Sequence, residues 1–302
     1  MDIGNKIKQL RTEKLMTQSE LAGTEITRNM LSRIENGAAL PSLGTITYLA
    51  DRLGVPAGYL LSEGAEEFIY NKTGVMKNIR RAYTDKNFEL CRDICLSSFN
   101  EFDDELELIL TDCCLGVAED CMKEGRLRDA RDYLDEALVH SANTMFNTVT
   151  QKNEIAVMFE LLKEISPALD SNETDTVISE DLFHPAIFDS ILCKYITVIL
   201  NREKYNAFVE DISRLPENSL SKKDSLFALH LKARHLIHLN DYPSALKLLK
   251  ETTDSDEAPP RLLLYLTCSD MEICFREMND YKGAYEFSQN KIEILEHMLA
   301  EI

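Results

Sequence analysis

The stretch Thr17-Gln-Ser-Glu-Leu-Ala-Gly-Thr-Glu-Ile-Thr-Arg-Asn-Met-Leu-Ser-Arg-Ile-Glu-Asn-Gly37 reads as two short helices and the turn between them. Thr17 with Glu20 three positions on is a capping box, in which hydroxyl and carboxylate satisfy free backbone donors at a helix start. The first helix therefore begins near Gln18. Gly23 and Thr24 interrupt it, and Thr27 supplies a second N-cap oxygen before a helix that Gly37 can end in a left-handed conformation. Helices joined this tightly must cross steeply.

On the second helix Met30, Leu31 and Ile34 have the spacing of a buried face, so Arg28, Asn29, Ser32 and Arg33 project from the other side. Arginine bonds guanine bidentately, asparagine does the same to adenine, and serine bonds several groups. These four are the candidate base readers. Gln18, Thr27 and Asn36 are expected to anchor the DNA backbone. The segment resembles the XRE (Cro/C1-type) helix-turn-helix family. The resemblance runs through Ile3-Gly4-Asn5-Lys6-Ile7, Leu10-Arg11, Thr17-Gln18, Leu21-Ala22, Leu31 to Gly37, Pro41-Ser42, Leu49-Ala50, Leu53-Gly54-Val55 and Tyr59-Leu60-Leu61. The turn Gly23-Thr24-Glu25-Ile26 is shorter than the family's common form. The resemblance also implies an ion pair between Arg11 and Glu35. A first helix over Ile3 to Glu13 should bury Ile3, Ile7 and Leu10 and show Lys6, Lys8 and Lys14 to solvent. Pro41 suits the first turn of a fourth helix reaching Leu53, and Pro56 to Leu61 makes a short fifth.

The chain has 302 residues and a formal net charge of −19. Residues 1–63 hold seven Lys/Arg and seven Asp/Glu, so the excess acid lies entirely beyond them. An acidic remainder repels phosphate at long range and leaves one basic face for docking, which argues for a selective binder. No long apolar run or secretion signal is present, so a cytoplasmic protein without membrane contact is expected. The eight cysteines include no Cys-x-x-Cys pair. They read as reduced, buried packing residues, and no metal site or cofactor is expected.

Residues 64–72 change composition and read as a linker between a domain over 1–63 and another over 73–302. The latter reads as helix almost throughout, and it repeats. Val117 to Leu138, with Ala118, Ala130 and Ala137 at close-approach positions and Gly125 at a turn, resembles a tetratricopeptide repeat (TPR). Asn240-Asp241-Tyr242 and Asn279-Asp280-Tyr281 are similar turns, and Lys86-Asn87-Phe88 and Glu203-Lys204-Tyr205 are weaker ones. Turn origins at 86, 125, 203, 240 and 279 are 39, 78, 37 and 39 residues apart, and the double gap implies a degenerate repeat near Glu164. The expected fold is therefore all-α, a five-helix helix-turn-helix domain followed by a TPR-like α-solenoid of about six hairpins with a concave face. The last helix, bearing Ile292, Leu295, Leu299 and Ile302, is expected either to cap the solenoid or to form a dimer interface.

The joined architecture resembles the peptide-sensing regulators of the Rgg/PlcR type. That resemblance implies a homodimer on a double-stranded operator, controlled by a short signalling peptide in the groove. Counting back from each turn puts Gln151, Glu154, Lys194, Thr197, Asn201, His230, Arg234, His238, Ser269, Asp270 and Arg276 on or near that groove. Lys194, Thr197, Asn201, His230, Arg234 and Arg276 are the candidate ligand contacts, the cations suiting a carboxylate and Asn201 a peptide backbone. A DNA-binding adaptor whose solenoid recruits a protein is the alternative. An enzyme regulator with a vestigial helix-turn-helix is disfavoured by intact Arg28, Asn29 and Arg33. No nucleophile motif, phosphate loop or paired-carboxylate signature supports an enzyme.

Overall fold

The computed structural model describes residues 2–62, 65–167, 190–200, 222–255 and 258–300. Among the described residues all regular structure is helical. The chain divides into two compact units, Met1–Arg81 and Ala82–Ile302.

The first unit holds α1 (Ile3–Glu13), α2 (Gln18–Ala22), α3 (Arg28–Glu35), α4 (Leu43–Leu53), α5 (Ala57–Leu61) and most of α6 (Ala65–Thr84). Caps set the starts: Asp2 accepts from Asn5 N, Thr17 and Glu20 form the reciprocal capping box, Thr27 accepts from Met30 N, and Ser42 accepts from Thr45 N. Ser42 is the cap of α4, so Pro41 lies just ahead of the helix rather than inside its first turn. From Ala65 onward the residues read as a linker form the opening turns of α6. Ile7, Leu21, Leu31, Ile34, Ile46, Leu49, Leu53 and Leu60 close one core. Two glycines permit the close crossings. Gly23 ends α2 at φ 57°, where an added Cβ would meet the Tyr48 hydroxyl. That hydroxyl donates to Ala22 O at 3.0 Å and ties α4 to the turn.

Gly4 lies where α1 crosses the end of α3, and a Cβ there would come within 2.2 Å of the Ile34 carbonyl oxygen. Backbone cannot step aside as a side chain can. Gly4→Ala is therefore expected to destabilise the first unit by about 1–3 kcal/mol. Urea denaturation followed by circular dichroism measures it, and an unchanged midpoint would mean that α1 can slide along α3.

The second unit contains α7 (Phe88–Ser98), α8 (Asp104–Glu124), α9 (Leu127–Asn143), α10 (Val149–Ile165), α11 (Ile191–Leu200), α12 (Lys222–His238), α13 (Tyr242–Thr253), α14 (Arg261–Glu277) and α15 (Tyr281–Leu299). Four interhelical turns share one construction. Lys86, Gly125, Asn240 and Asn279 have φ of 56°, 81°, 60° and 62°. In each, the N–H of the left-handed residue bonds the carbonyl three back and the next N–H bonds the carbonyl five back, as Asn240 to Ile237 and Asp241 to Leu236 do. This is the Schellman closure that satisfies the orphan carbonyls of a helix end. Asn87, Asp241 and Asp280 then cap the following helix. The turn at 203 lies outside the described residues, and α10 ends at Ile165, where a turn near Glu164 is expected.

Ala118, Ala130 and Ala137 are fully buried where α8 meets α9, as small residues at a close helix approach must be. The packing departs from a simple stack, in which each hairpin touches only its neighbours. Leu262, Leu263, Leu266 and Met298 of the last hairpin share one core with Ala118, Leu127, Ala130 and Leu134 of the α8–α9 hairpin. Met298 and Arg261 sit directly on the Gly125 turn, where an added Cβ would lie 2.8 Å from Met298 Cγ and 2.9 Å from Arg261 Cβ. In α15, Leu295 and Leu299 pack against this core while Ile292 stays 44% exposed. Ile302 lies outside the described residues. All eight cysteines are free and buried.

Candidate nucleic-acid interface and ligand pocket

Helix α3 buries Leu31, Ile34 and Glu35. Met30, expected in the core, is instead 39% exposed, because the inward positions three and four apart from Leu31 are Ile34 and Glu35. A carboxylate therefore occupies a core position, and its charge must be met. Arg11 of α1 meets it with a fork, Nε to Oε1 at 2.6 Å and Nη2 to Oε2 at 3.1 Å, and its Nη1 donates to Met16 O. The hydrogen bond to Glu35 holds the Arg11 pKa above its ordinary value. Gln18 Nε2 donates to Glu35 Oε2 at 2.8 Å, so this amide faces the back of α3. The ion pair that the family resemblance implies is present, with Gln18 as a third member.

From this clamped helix Arg28, Asn29 and Arg33 are exposed, Ser32 is half-buried, and Thr27 and Asn36 are exposed at the two ends. Lys8 of α1 and Lys14, its C-cap residue, are also exposed. Lys6 corrects the expectation for α1. It is 2% exposed, and its Nζ donates to Tyr59 O at 3.1 Å, Ser62 O at 2.5 Å and Ser62 Oγ at 3.2 Å, lying 4.9 Å from the Tyr59 ring centre. The ammonium binds the carbonyl end of α5, where a helix favours positive charge.

A protein-family model described as Helix-turn-helix matches residues 7–60. Residues 7–60 are a helix-turn-helix domain. It is an XRE-type, DNA-binding family. No curated protein matches the chain significantly. Solved structures similar to the whole chain include Bacillus thuringiensis PlcR in complex with the peptide PapR7 and DNA. That match has 15% identity, covers 99% of each chain and has a TM-score of 0.25. ComR from S. thermophilus, in complex with DNA and its signalling peptide ComS, is 16% identical over 97% of this chain and 99% of that one, with a TM-score of 0.26. The Streptococcus dysgalactiae pheromone receptor Rgg2 is 13% identical over 96% and 99%, with a TM-score of 0.24. Likeness at that level assigns no ligand. Among the described residues, no helix is long and apolar enough to cross a membrane.

In the second unit the candidate ligand residues separate. Thr197 is fully buried, its hydroxyl donating to Cys193 O at 2.7 Å, and His230 is fully buried too. Neither presents the open surface that the repeat register assigned it, because α11 and α12 pack on both sides. Lys194 is half-buried, and Arg276 is exposed beside Glu272 and Glu277. Asn201 lies outside the described residues. Gln151 donates to Asp112 Oδ1. Arg234 and Ser269 line a cavity of about 120 Å³ together with Leu161, Glu164, Ile165, Ile199, Tyr265 and Leu266.

Behind this cavity lies a buried polar chain. Arg234 forks onto Asp270 at 2.6 and 3.1 Å, His230 Nε2 lies 3.2 Å from Asp270 Oδ2 without hydrogen-bond alignment, and His230 Nδ1 is 3.0 Å from the Tyr195 hydroxyl. Burial alone would raise the Asp270 pKa, but the Arg234 guanidinium and His230 outweigh it and bring it down to about 2. Tyr195 and Tyr265 were not singled out from the sequence, and Glu164 was read only as a turn position. Their neighbours in space are about 35 to 100 residues away along the chain, beyond any local pattern.

Proposed function

We propose that the chain is a sequence-specific transcription regulator that binds its operator as a homodimer through α3 and is controlled by a short peptide held in the second unit. The observation that carries the DNA reading is the outward set Arg28, Asn29 and Arg33 on a helix clamped from behind by Arg11, Glu35 and Gln18. A rigid helix presenting donors suited to guanine and adenine edges is what direct readout in a major groove needs. Ser32 completes that row, and Thr27 and Asn36 at its ends hold the phosphate backbone. Gln18, turned inward in the free protein, contributes by holding Glu35 unless it swings out on binding.

For the peptide, a cavity of about 120 Å³ holds one side chain or a chain terminus and no more. Arg234, oriented by Asp270, supplies a cation at its wall for a carboxylate. Lys194 and Arg276 belong to the proposed contact set, and Asn201, outside the described residues, is kept in it on the sequence alone.

The test is a gel shift on the gene's own upstream DNA, with and without peptides from conditioned medium, combined with a mass measurement of the complex. Arg28→Ala and Arg33→Ala are each expected to weaken the cognate site by about 1–3 kcal/mol while changing random DNA far less. Equal loss on both would mean that these arginines touch only phosphate. Ser269→Phe fills the cavity beside Arg234 and is expected to abolish the peptide response while DNA binding persists. A peptide response that survives Ser269→Phe would move the ligand elsewhere. A shift insensitive to any peptide would favour the adaptor reading.

A further inference from the structure

The α8–α9 hairpin carries a cluster that neither DNA nor peptide binding uses. Cys114 of α8 and Glu136 and His140 of α9 bring a thiol sulfur, a carboxylate oxygen and an imidazole nitrogen within 4.8 Å of one another. Glu136 and His140 are four apart and share a helix face. Cys114 is fully buried and His140 is 8% exposed. The imidazole is held in place, its Nδ1 lying 2.6 Å from Oε2 of the buried Glu107. Nε2 then faces Glu136 Oε1 at 3.7 Å. That separation is too long for a hydrogen bond. Two metal–ligand bonds of about 2.0–2.1 Å at a tetrahedral angle span about 3.4 Å, so a shift of a few tenths of an ångström brings the two atoms to that spacing.

We propose that Cys114, Glu136 and His140 form a binding site for a divalent transition metal of the zinc class, with Glu107 orienting the histidine and a fourth position open to water. Thiolate, imidazole and carboxylate together suit zinc. A ligand histidine whose other nitrogen meets a carboxylate is the usual outer support of such sites. Arg92 is the objection, since its guanidinium forks onto Glu136 at 2.8 to 3.2 Å. Each Glu136 oxygen already accepts from both Nε and Nη2, so part of this fork must open to free a lone pair for the ion. Charge also balances: two carboxylates against one guanidinium leave one negative charge, and a divalent ion that displaces the Cys114 proton into the buffer brings the cluster to neutrality.

Cobalt(II) titrated into the reduced, chelator-treated full-length protein tests this. The expected result is a thiolate-to-cobalt charge-transfer band in the near ultraviolet that saturates at a single equivalent, with a matching rise in thermal midpoint. Cys114→Ala should lose the band, Cys91→Ala should keep it, and Glu107→Gln should weaken binding about 10–100-fold. Circular dichroism shows whether each variant folds, and the wild-type titration stands if Cys114→Ala does not. No band on the wild type at saturating metal overturns the site. So does a band that survives in Cys114→Ala and disappears in Cys91→Ala.

Discussion

Arg11→Met is expected to cost the first unit about 3–5 kcal/mol, because it strands the buried Glu35 carboxylate without its countercharge. Glu35 is 3% exposed, and the Arg11 fork supplies two of its hydrogen bonds. Gln18 alone is left, and a neutral amide does not offset the desolvation of an ionised carboxylate. A unit this small has little stability to spare, so the loss approaches unfolding. Hydrogen exchange of the α1 and α3 amides in the full chain measures it directly. The companion variant Arg11→Met/Glu35→Leu, which removes both charges, is expected to recover most of the loss. Unchanged exchange in Arg11→Met would show that the pair is not what clamps α3. If α3 reads DNA as proposed, operator binding is expected to fall with it, since Arg28, Asn29 and Arg33 keep their identity while losing the helix that carries them.

Asp270 carries the second large effect, and it has a pH signature. Its folded pKa is lowered from 3.8 to about 2. A depressed carboxylate contributes stability that is present above the unfolded pKa and is lost as pH falls through the folded one. The second unit should therefore shed about 2–3 kcal/mol of stability through this group between about pH 5 and pH 1, most of it between pH 4 and pH 2. Asp270→Asn should already be less stable at neutral pH by about 3–5 kcal/mol, since Arg234 and His230 lose their buried partner. The variant should then show a shallower acid slope than the wild type. Urea midpoints across that pH range, compared between the two proteins, isolate Asp270 from the many other carboxylates. Parallel slopes would mean that folding does not shift the Asp270 pKa.

Much of the local architecture was legible because each signal is an agreement among residues three to five apart. The capping box at Thr17 and Glu20, the caps at Thr27 and Ser42, and the turn origins at 86, 125, 240 and 279 are of this kind. Two asparagines, a glycine and a lysine sit at those origins, and the backbone there is left-handed in all four. Asparagine and glycine favour that conformation for local reasons; Lys86 adopts it because the repeat around it demands the turn.

What the sequence alone determined was the helical periodicity, the helix ends, the helix-turn-helix and the spacing of the hairpins, all consequences of backbone hydrogen bonding and caps within a few residues. Burial of individual polar side chains was decided by tertiary structure, because it depends on partners far along the chain. Lys6 turned inward once the α5 carbonyl end lay beside it, 53 to 56 residues on. Glu35 took a core place that the helical spacing gave to Met30, since Arg11 stood across from it. Thr197 and His230 left the expected groove when their helices were covered on both faces, and Asp270 kept its charge only because Arg234 reached it from another hairpin. The last hairpin's return onto Gly125 was likewise a matter of shape complementarity between Met298, Arg261 and a turn more than a hundred residues earlier, and no repeat period encodes such a contact.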